Sequence, residues 1–362
     1  MAFLELINLR KEYQKGVVAV KDINLKIEKG EFLVLLGPSG CGKTTTMRMI
    51  SGLENVTNGQ ILMEGKDITY LPPRKRNVSM IFQNYAVWPH MTVYENIAFA
   101  LKLKKMPKEE IKKIVYEVAG MADITQYLDR YPSQLSGGQR QRVAVARAIA
   151  VKPKLFLMDE PLSNLDAKLR VSMRTDLKEI HNKTNATTIF VTHDQSEAMS
   201  LADRIVIMRD GEIEQIGTPN EVYHDSETMF VANFIGTPPT NFIDVVIDNT
   251  EEGIVAKHEQ FSLAIKGEIS KKLEKYIGKK VVLGVRPENF VITDESNSLF
   301  SIKVDFVEPQ GSHTIIVTKI SGKVTKIMST EIFDVKPGDK LHLSIAEGKY
   351  LFFDPETERR IK

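Results

Sequence analysis

Gly37-Pro38-Ser39-Gly40-Cys41-Gly42-Lys43-Thr44 separates a continuous apolar run, Phe32 to Leu36, from a stretch with helical spacing, Thr44 to Ile50. No other segment restricts the fold as strongly. An apolar run without polar alternation suits a strand buried on both faces, and such strands belong to parallel sheets covered by helices. Glycines in the loop let backbone N–H groups approach a phosphate closely, and the lysine adds a point charge. The helix that follows aims its N-terminus at the same anion. In a chain of 362 residues the pattern arises by chance on the order of once in a hundred sequences. The strand before it and the helix after it lower that further. Gly37 to Thr44, with Thr45 beside them, are the expected nucleotide-binding residues.

Three more apolar runs, Leu155 to Met158, Thr188 to Thr192 and Ile205 to Met208, are expected to join Phe32 to Leu36 in an α/β sheet covered by helices. From Phe3 to Phe32 the pattern is short and β-like, with Ile23, Leu25 and Ile27 alternating against polar neighbours, which predicts an antiparallel edge unit. Residues from about 88 to 151 carry helical signals at Val93 to Lys105, Pro107 onward and Gln139 to Ala150, read as an inserted helical subdomain. Lysines 102, 104, 105, 108, 112 and 113 alternate with Leu101, Leu103, Ile111 and Ile114, so they form a solvated helix face and imply no nucleic acid.

At Phe234-Ile235-Gly236 the character changes. Short strands at Phe242 to Ile247, Val281 to Val285 and His313 to Lys319, with turns at Ser321-Gly322, Pro337-Gly338 and Glu347-Gly348, predict an all-β, barrel-like second domain. The length also exceeds what one hydrophobic core usually supports. Two domains are therefore expected, residues 1–235 and 236–362.

With 42% hydrophobic and 27% charged residues, the composition is that of a soluble globular protein. No apolar stretch approaches the ~18 residues of a spanning helix, and the opening residues lack the regions of a signal peptide. Any membrane role is thus expected to be peripheral, through a partner. The formal net charge of +2 identifies no partner, and the single cysteine, Cys41, excludes an internal disulfide.

Asp159 ends the second apolar run, where its carboxylate can orient magnesium together with the Thr44 hydroxyl. Glu160 lies one residue on and can act as general base on a water within hydrogen-bond reach. An isolated Asp-Glu pair is more often a solvated turn. Here the apolar run before it and Pro161-Leu162-Ser163-Asn164-Leu165-Asp166 after it reverse that preference. A second glycine-rich segment, Leu135-Ser136-Gly137-Gly138-Gln139, opens the helical run Gln139 to Ala150.

Taken together, these motifs resemble the ATP-binding-cassette transport ATPases over Phe3 to roughly Phe234, in particular those of maltose and multiple-sugar importers. The resemblance implies a P-loop NTPase cassette with ATP and Mg2+. It makes Tyr13 the residue that stacks on adenine, Gln83 a contact to magnesium and the attacking water, and His193 the residue that holds the γ-phosphate. Metal contacts then come from Thr44, Gln83 and Asp159, and catalysis from Glu160, His193 and Gln83. Leu135, Ser136, Gly137, Gly138 and Gln139 become contacts to the nucleotide of a second subunit, with Ser136 and Gly138 binding its γ-phosphate, and Ser163 to Asp166 cross the dimer interface, with Asp166 a further trans contact.

Only one copy of each motif is present, so two nucleotide sites need a homodimer or a pairing with a similar ATPase. Asn84 to Val93, with Trp88 where the family has tyrosine, resembles the segment beside the surface that receives coupling helices from two transmembrane permease subunits. An extracytoplasmic solute-binding protein acts only indirectly, and the location implied is the cytoplasmic face of the membrane. Gly284-Val285-Arg286-Pro287-Glu288 and Val307-Glu308-Pro309-Gln310-Gly311 resemble the OB-like regulatory domain of these importers, although the segment after Thr325 is shorter than expected. The expected cargo is a sugar, with polyamine, sulfate or iron as alternatives. A soluble cassette ATPase acting on nucleic acid or ribosomes is less favoured, because no coiled-coil insertion or second cassette is seen.

Overall fold

Alternation builds the first layer. In β1 (Leu4–Tyr13) and β2 (Val17–Ile27) the residues Leu4, Leu6, Ile23, Leu25 and Ile27 are buried while their neighbours are not, so each strand has one apolar face. They pair antiparallel, Leu4 opposite Ile27 and Leu6 opposite Leu25. The computed structural model describes residues 2–251, 253–331 and 335–362. It divides into two compact units, Met1–Pro219 and Asn220–Lys362.

In the first unit, β3 (Phe32–Leu36), whose five residues are all buried, leads into α1 (Lys43–Ser51). Next, β4 (Asn58–Met63) and β5 (Lys66–Asp67) complete an antiparallel sheet of order β2-β1-β4-β5. β6 (Val78–Ile81) precedes the helices α2 (Val93–Leu103), α3 (Lys108–Met121) and α4 (Gly137–Ala150). The chain continues through β7 (Leu155–Asp159), α5 (Ala167–Thr184), β8 (Thr187–Thr192), α6 (Gln195–Leu201), β9 (Arg204–Arg209) and β10 (Glu212–Gly217).

The second sheet runs β10-β9-β3-β8-β7-β6, parallel except for β10. Its two outermost strands, β6 and β10, were not expected. β6 is only partly buried and β10 alternates, so neither carries the continuous apolar run that marks a central strand. Leu33, Leu35, Leu155, Leu157, Ile189 and Val191 share a core with the antiparallel sheet. On the opposite face, His181 of α5 meets Phe32 edge-on at 5.0 Å and bonds to the Thr188 hydroxyl.

The second unit begins at Asn220, within α7 (Pro219–His224), and continues into α8 (Met229–Phe234). Ala232 of α8 packs with Val282 and Phe353, so this unit takes in residues ahead of the composition change at Gly236, and its first strand begins at Asn241. The strands are β11 (Asn241–Thr250), β12 (Gly253–Lys257), β13 (Ser262–Ala264) and, after α9 (Glu268–Leu273), β14 (Lys280–Val285). Then come β15 (Phe290–Thr293), β16 (Phe300–Lys303), β17 (Phe306–Pro309), β18 (Thr314–Ile320), β19 (Lys323–Ser329), β20 (Lys340–Ile345) and β21 (Tyr350–Phe353).

They form three antiparallel sheets, β13-β12-β11-β14-β21, β15-β20-β16 and β17-β18-β19. Ile243, Leu283, Phe300, Ile316, Leu343 and Phe352 join them in one core, the barrel-like arrangement expected. The buried Arg286 donates to the backbone oxygens of Tyr223 and Ile235, and its guanidinium lies 3.7 Å from the Tyr223 ring centroid. Burial holds it below the usual arginine range.

Candidate nucleotide site

The parallel strands β3, β7 and β8 end at Leu36, Asp159 and Thr192 on one edge of the sheet, where ligands of open α/β sheets bind. Gly37 begins the loop there. A Cβ on it would lie 2.3 Å from the Met208 carbonyl oxygen, and one on Gly42, at φ 102°, would lie 2.5 Å from that of Ala19. The backbone can therefore close only as glycine. Gly42 caps α1 without a side chain, so the first N–H groups of that helix remain available to an anion. Lys43 is buried, and its Nζ donates to the carbonyls of Gly37 and Pro38, both at 2.8 Å. Cys41 is buried behind the loop, and burial pushes its thiol up against the opposing pull of Lys43. Pro38, Ser39 and Gly40 are exposed, and Thr44 and Thr45 half-buried.

The Thr44 hydroxyl donates to Asp159 Oδ1 at 3.0 Å. Burial raises the Asp159 carboxyl, and the Thr44 hydrogen bond works in the opposite direction. Glu160 follows at φ 44°, a left-handed conformation that a non-glycine residue keeps only when its surroundings impose it. Its own N–H, bonded to the Val191 carbonyl at 3.0 Å, is part of that constraint. The Glu160 Oε2 atom lies 3.3 Å from His193 Nδ1 and 3.4 Å from Gln83 Nε2, and the same amide reaches Ser163 Oγ at 3.4 Å. Asn164 donates to the Gln83 carbonyl.

Four separated parts of the sequence, carrying Thr44, Gln83, the Asp159-Glu160 pair and His193, thus converge at one end of the sheet. A hydroxyl, a carboxylate and an amide oxygen are hard donors of the kind magnesium prefers. Among the described residues no group of three or more His, Cys, Asp or Glu side chains could hold a metal ion. A magnesium ion fits here in the mode that completes its shell from phosphate oxygens and water.

Tyr13 stands apart from these five, on β1. It is 40% exposed, its hydroxyl donates to Glu54 Oε2 at 3.3 Å, and Lys11 Nζ lies 4.8 Å from its ring centroid. A third group sits at the start of α4. Ser136 caps the helix reciprocally with Gln139, whose side chain accepts from the Ser136 N–H at 2.8 Å. Gly137 faces Leu165, while a Cβ on Gly138 would come within 2.6 Å of Leu169. Leu135 is buried, Ser136 exposed, and Asp166 caps α5 by accepting from the Leu169 N–H at 2.9 Å. Among the described residues no hydrogen bond or ion pair connects Leu135 to Gln139 with Lys43, Thr44 or Asp159.

Three family models match: ABC transporter over residues 20–163, MalK OB fold domain over 236–290 and TOBE domain over 283–353. Over its whole length the chain is 46% identical to the oligosaccharides import ATP-binding protein MsmX of Bacillus subtilis, of which it covers 100%. The chain belongs to the MalK-type ABC transporter ATPases. A second relative is the sn-glycerol-3-phosphate import ATP-binding protein UgpC 2 of Agrobacterium fabrum, 44% identical over 100% of this chain and 95% of that protein. Among solved structures, cbiO1 from Clostridium perfringens, part of the ABC transporter complex cbiONQ, matches 61% of this chain and 90% of its own at TM-score 0.58 and 30% identity. The ATP-binding cassette MJ0796, in a dimeric post-hydrolysis state bound to ADP and Pi, matches 60% and 98% at TM-score 0.54 and 34% identity.

This ABC transporter ATPase also carries an open groove of about 430 Å³, lined by Leu53, Met80, Phe82, Trp88, Ala100 and Arg147 among others. Trp88 is half-buried, 4.5 Å from Phe99 and 4.7 Å from Arg147 between group centres. Sequence reasoning missed Arg147. Its guanidinium donates to the carbonyls of Tyr85 and Ala86, two residues at positive φ, and so ties α4 to the turn after Gln83. Within Gln-Arg-Gln-Arg and the alanine-rich run that follows, nothing separates it from a solvated arginine. The only sign lies in its partners, which are about sixty residues away in sequence.

Proposed function

We propose that the chain is the ATP-hydrolysing subunit of an importer of oligosaccharides or related sugars. ATP sits on Gly37 to Thr45 with its base against Tyr13. Magnesium, held by Thr44, Gln83 and Asp159, would neutralise phosphate charge as it develops. Glu160 takes the proton of the attacking water, His193 holds the γ-phosphate, and Gln83 orients the water. The observation that carries this is the left-handed Glu160, with one carboxylate oxygen within 3.3–3.4 Å of both His193 and Gln83, next to the Thr44–Asp159 pair.

Leu135, Ser136, Gly137, Gly138, Gln139 and Asp166 serve a second copy or a similar ATPase. Their neutral, capped helix end is the kind that receives another molecule's phosphate. Each subunit thereby supplies half of two sites, and ATP binding draws the pair together. The groove at Trp88 takes a coupling helix of a membrane permease, and the subunit works on the cytoplasmic face of the membrane.

Sugar cargo follows from the kinship with MsmX and the MalK-type second domain. The kinship with UgpC 2 keeps glycerol phosphate as a second candidate. Uptake in the host organism decides between them. Deleting the gene should abolish uptake of labelled oligosaccharide, and only a chain with intact Glu160 should restore it. Normal oligosaccharide uptake in the deletion strain, with loss of glycerol phosphate uptake, would transfer the assignment to the second cargo.

A further inference from the structure

Arg170 lies about one turn into α5, and its guanidinium faces three places outside that helix. Nη2 donates to the Leu165 carbonyl at 3.1 Å, Nη1 reaches Asp194 Oδ2 at 3.5 Å, and Nε faces Glu197 Oε1 at 3.8 Å. Nε has no hydrogen-bond partner, so it meets Glu197 as a charge alone. Glu197 is 3% exposed, and its other oxygen accepts from the Thr192 hydroxyl at 2.6 Å. That hydroxyl in turn accepts from the Asp194 N–H at 2.9 Å. Both neighbours of His193 are therefore fixed to one partly buried assembly, and through Arg170 that assembly grips the carbonyl of Leu165.

Helix capping gives no reason for Arg170 to take part in the arrangement. Asp166 already caps α5 and Asp194 already caps α6. A carboxylate as buried as Glu197 is costly unless charge and hydrogen bonds compensate it, and burial indeed pushes its carboxyl up while Arg170 acts in the opposite sense. The chain retains this charge at the point where two loops meet. One is Ser163 to Asp166, and the other is the turn that carries His193.

We propose that Arg170 is a positioning residue that couples the Ser163 to Asp166 segment to His193, so that the histidine takes its working place when a partner cassette has seated against that segment. Arg170 itself does not touch ATP. The inference rests on the roles given above to His193 and to the dimer seam. Its mechanism is mechanical: displacement of Leu165 moves the guanidinium, and the guanidinium moves Asp194 and, through Glu197, Thr192.

A double-mutant cycle on the purified full chain tests it, with steady-state ATP turnover measured for wild type, R170M, H193A and R170M/H193A. For R170M, kcat should fall about tenfold while KM for ATP stays within about threefold, the pattern of an interaction used beyond substrate binding. The double variant should be no slower than H193A alone, because removing the histidine removes what Arg170 acts on. Losses that multiply would overturn the proposal. R170K keeps the charge but not a fork that reaches three acceptors. It should stay at least about threefold below wild type in kcat, and full recovery would likewise overturn the coupling. If R170M fails to fold, R170K/H193A supplies the same cycle. Normal turnover in H193A would overturn the histidine assignment, and this inference with it, a result distinct from multiplicative loss.

Discussion

The face carrying Lys43, Asp159 and Glu160 and the face carrying Leu135 to Gln139 handle charge in opposite ways. On the first, Lys43 and Asp159 are buried, and each is compensated within the chain, the ammonium by two carbonyls and the carboxylate by a threonine hydroxyl. On the second, none of the five residues Leu135 to Gln139 is charged. The exposed end of α4, a helix of 14 residues, is closed by the neutral Ser136–Gln139 pair. Buried charges carry their desolvation cost whether or not a partner is present, so the first face is prepared within the monomer. A helix N-terminus keeps its partial positive charge in water at little cost, so the second can wait. On the function proposed above, nucleotide affinity belongs to the first face and closure of the pair to the second.

Glu160→Gln strikes the first face hardest. The amide keeps the shape and the neighbours of the carboxylate but cannot take a proton, so turnover should fall by about 10²–10⁴, the usual contribution of a general base. Nucleotide affinity should be retained, and ATP-bound dimers should accumulate on size-exclusion chromatography. Hydrolysis at the wild-type rate would sink the assignment of the base. Ser136→Arg strikes the second. Placing a bulky side chain at a close-packed contact costs about 1–3 kcal/mol, and a symmetric pair carries the change twice. In the Glu160→Gln background, ATP-dependent dimerisation should weaken by at least about thirtyfold, while nucleotide titration of the monomer is unchanged. Undiminished dimers would show that α4 does not face a partner's phosphate.

What could be read from the sequence follows the same division. Gly37 to Thr44 and the Asp159-Glu160 pair were legible because their chemistry needs contiguous residues at fixed spacing after a buried strand. The helical subdomain and the β-rich second half were legible from period and turn residues. β6 and β10 were not, since short edge strands leave only weak patterns. Nor were Arg147 and Arg170, whose significance lies in acceptors brought close only by tertiary folding. The left-handed backbone of Glu160 was equally invisible. No residue preference announces it, because β7 and the Val191 carbonyl impose it from outside.

The smallest expected effect is the most discriminating. Ser136→Ala removes the side-chain acceptor that the Gln139 N–H reaches at 3.3 Å, and loss of an N-cap costs about 1 kcal/mol of stability. Chemical denaturation should show that loss, with the slope against denaturant unchanged because no surface is newly exposed. Nucleotide binding to the monomer should not change, since Lys43 and Asp159 have no hydrogen bond or ion pair with α4 among the described residues. If the hydroxyl serves only as a cap, dimerisation in the Glu160→Gln background should also be unaffected, because the helix N–H groups and their dipole remain. If it also bonds the partner's phosphate, each of two sites loses a charge-assisted hydrogen bond of about 1.5–3 kcal/mol. Dimerisation should then weaken by more than the cap alone can explain. The serine would in that case belong to the seam in its own right rather than as a support for the helix behind it.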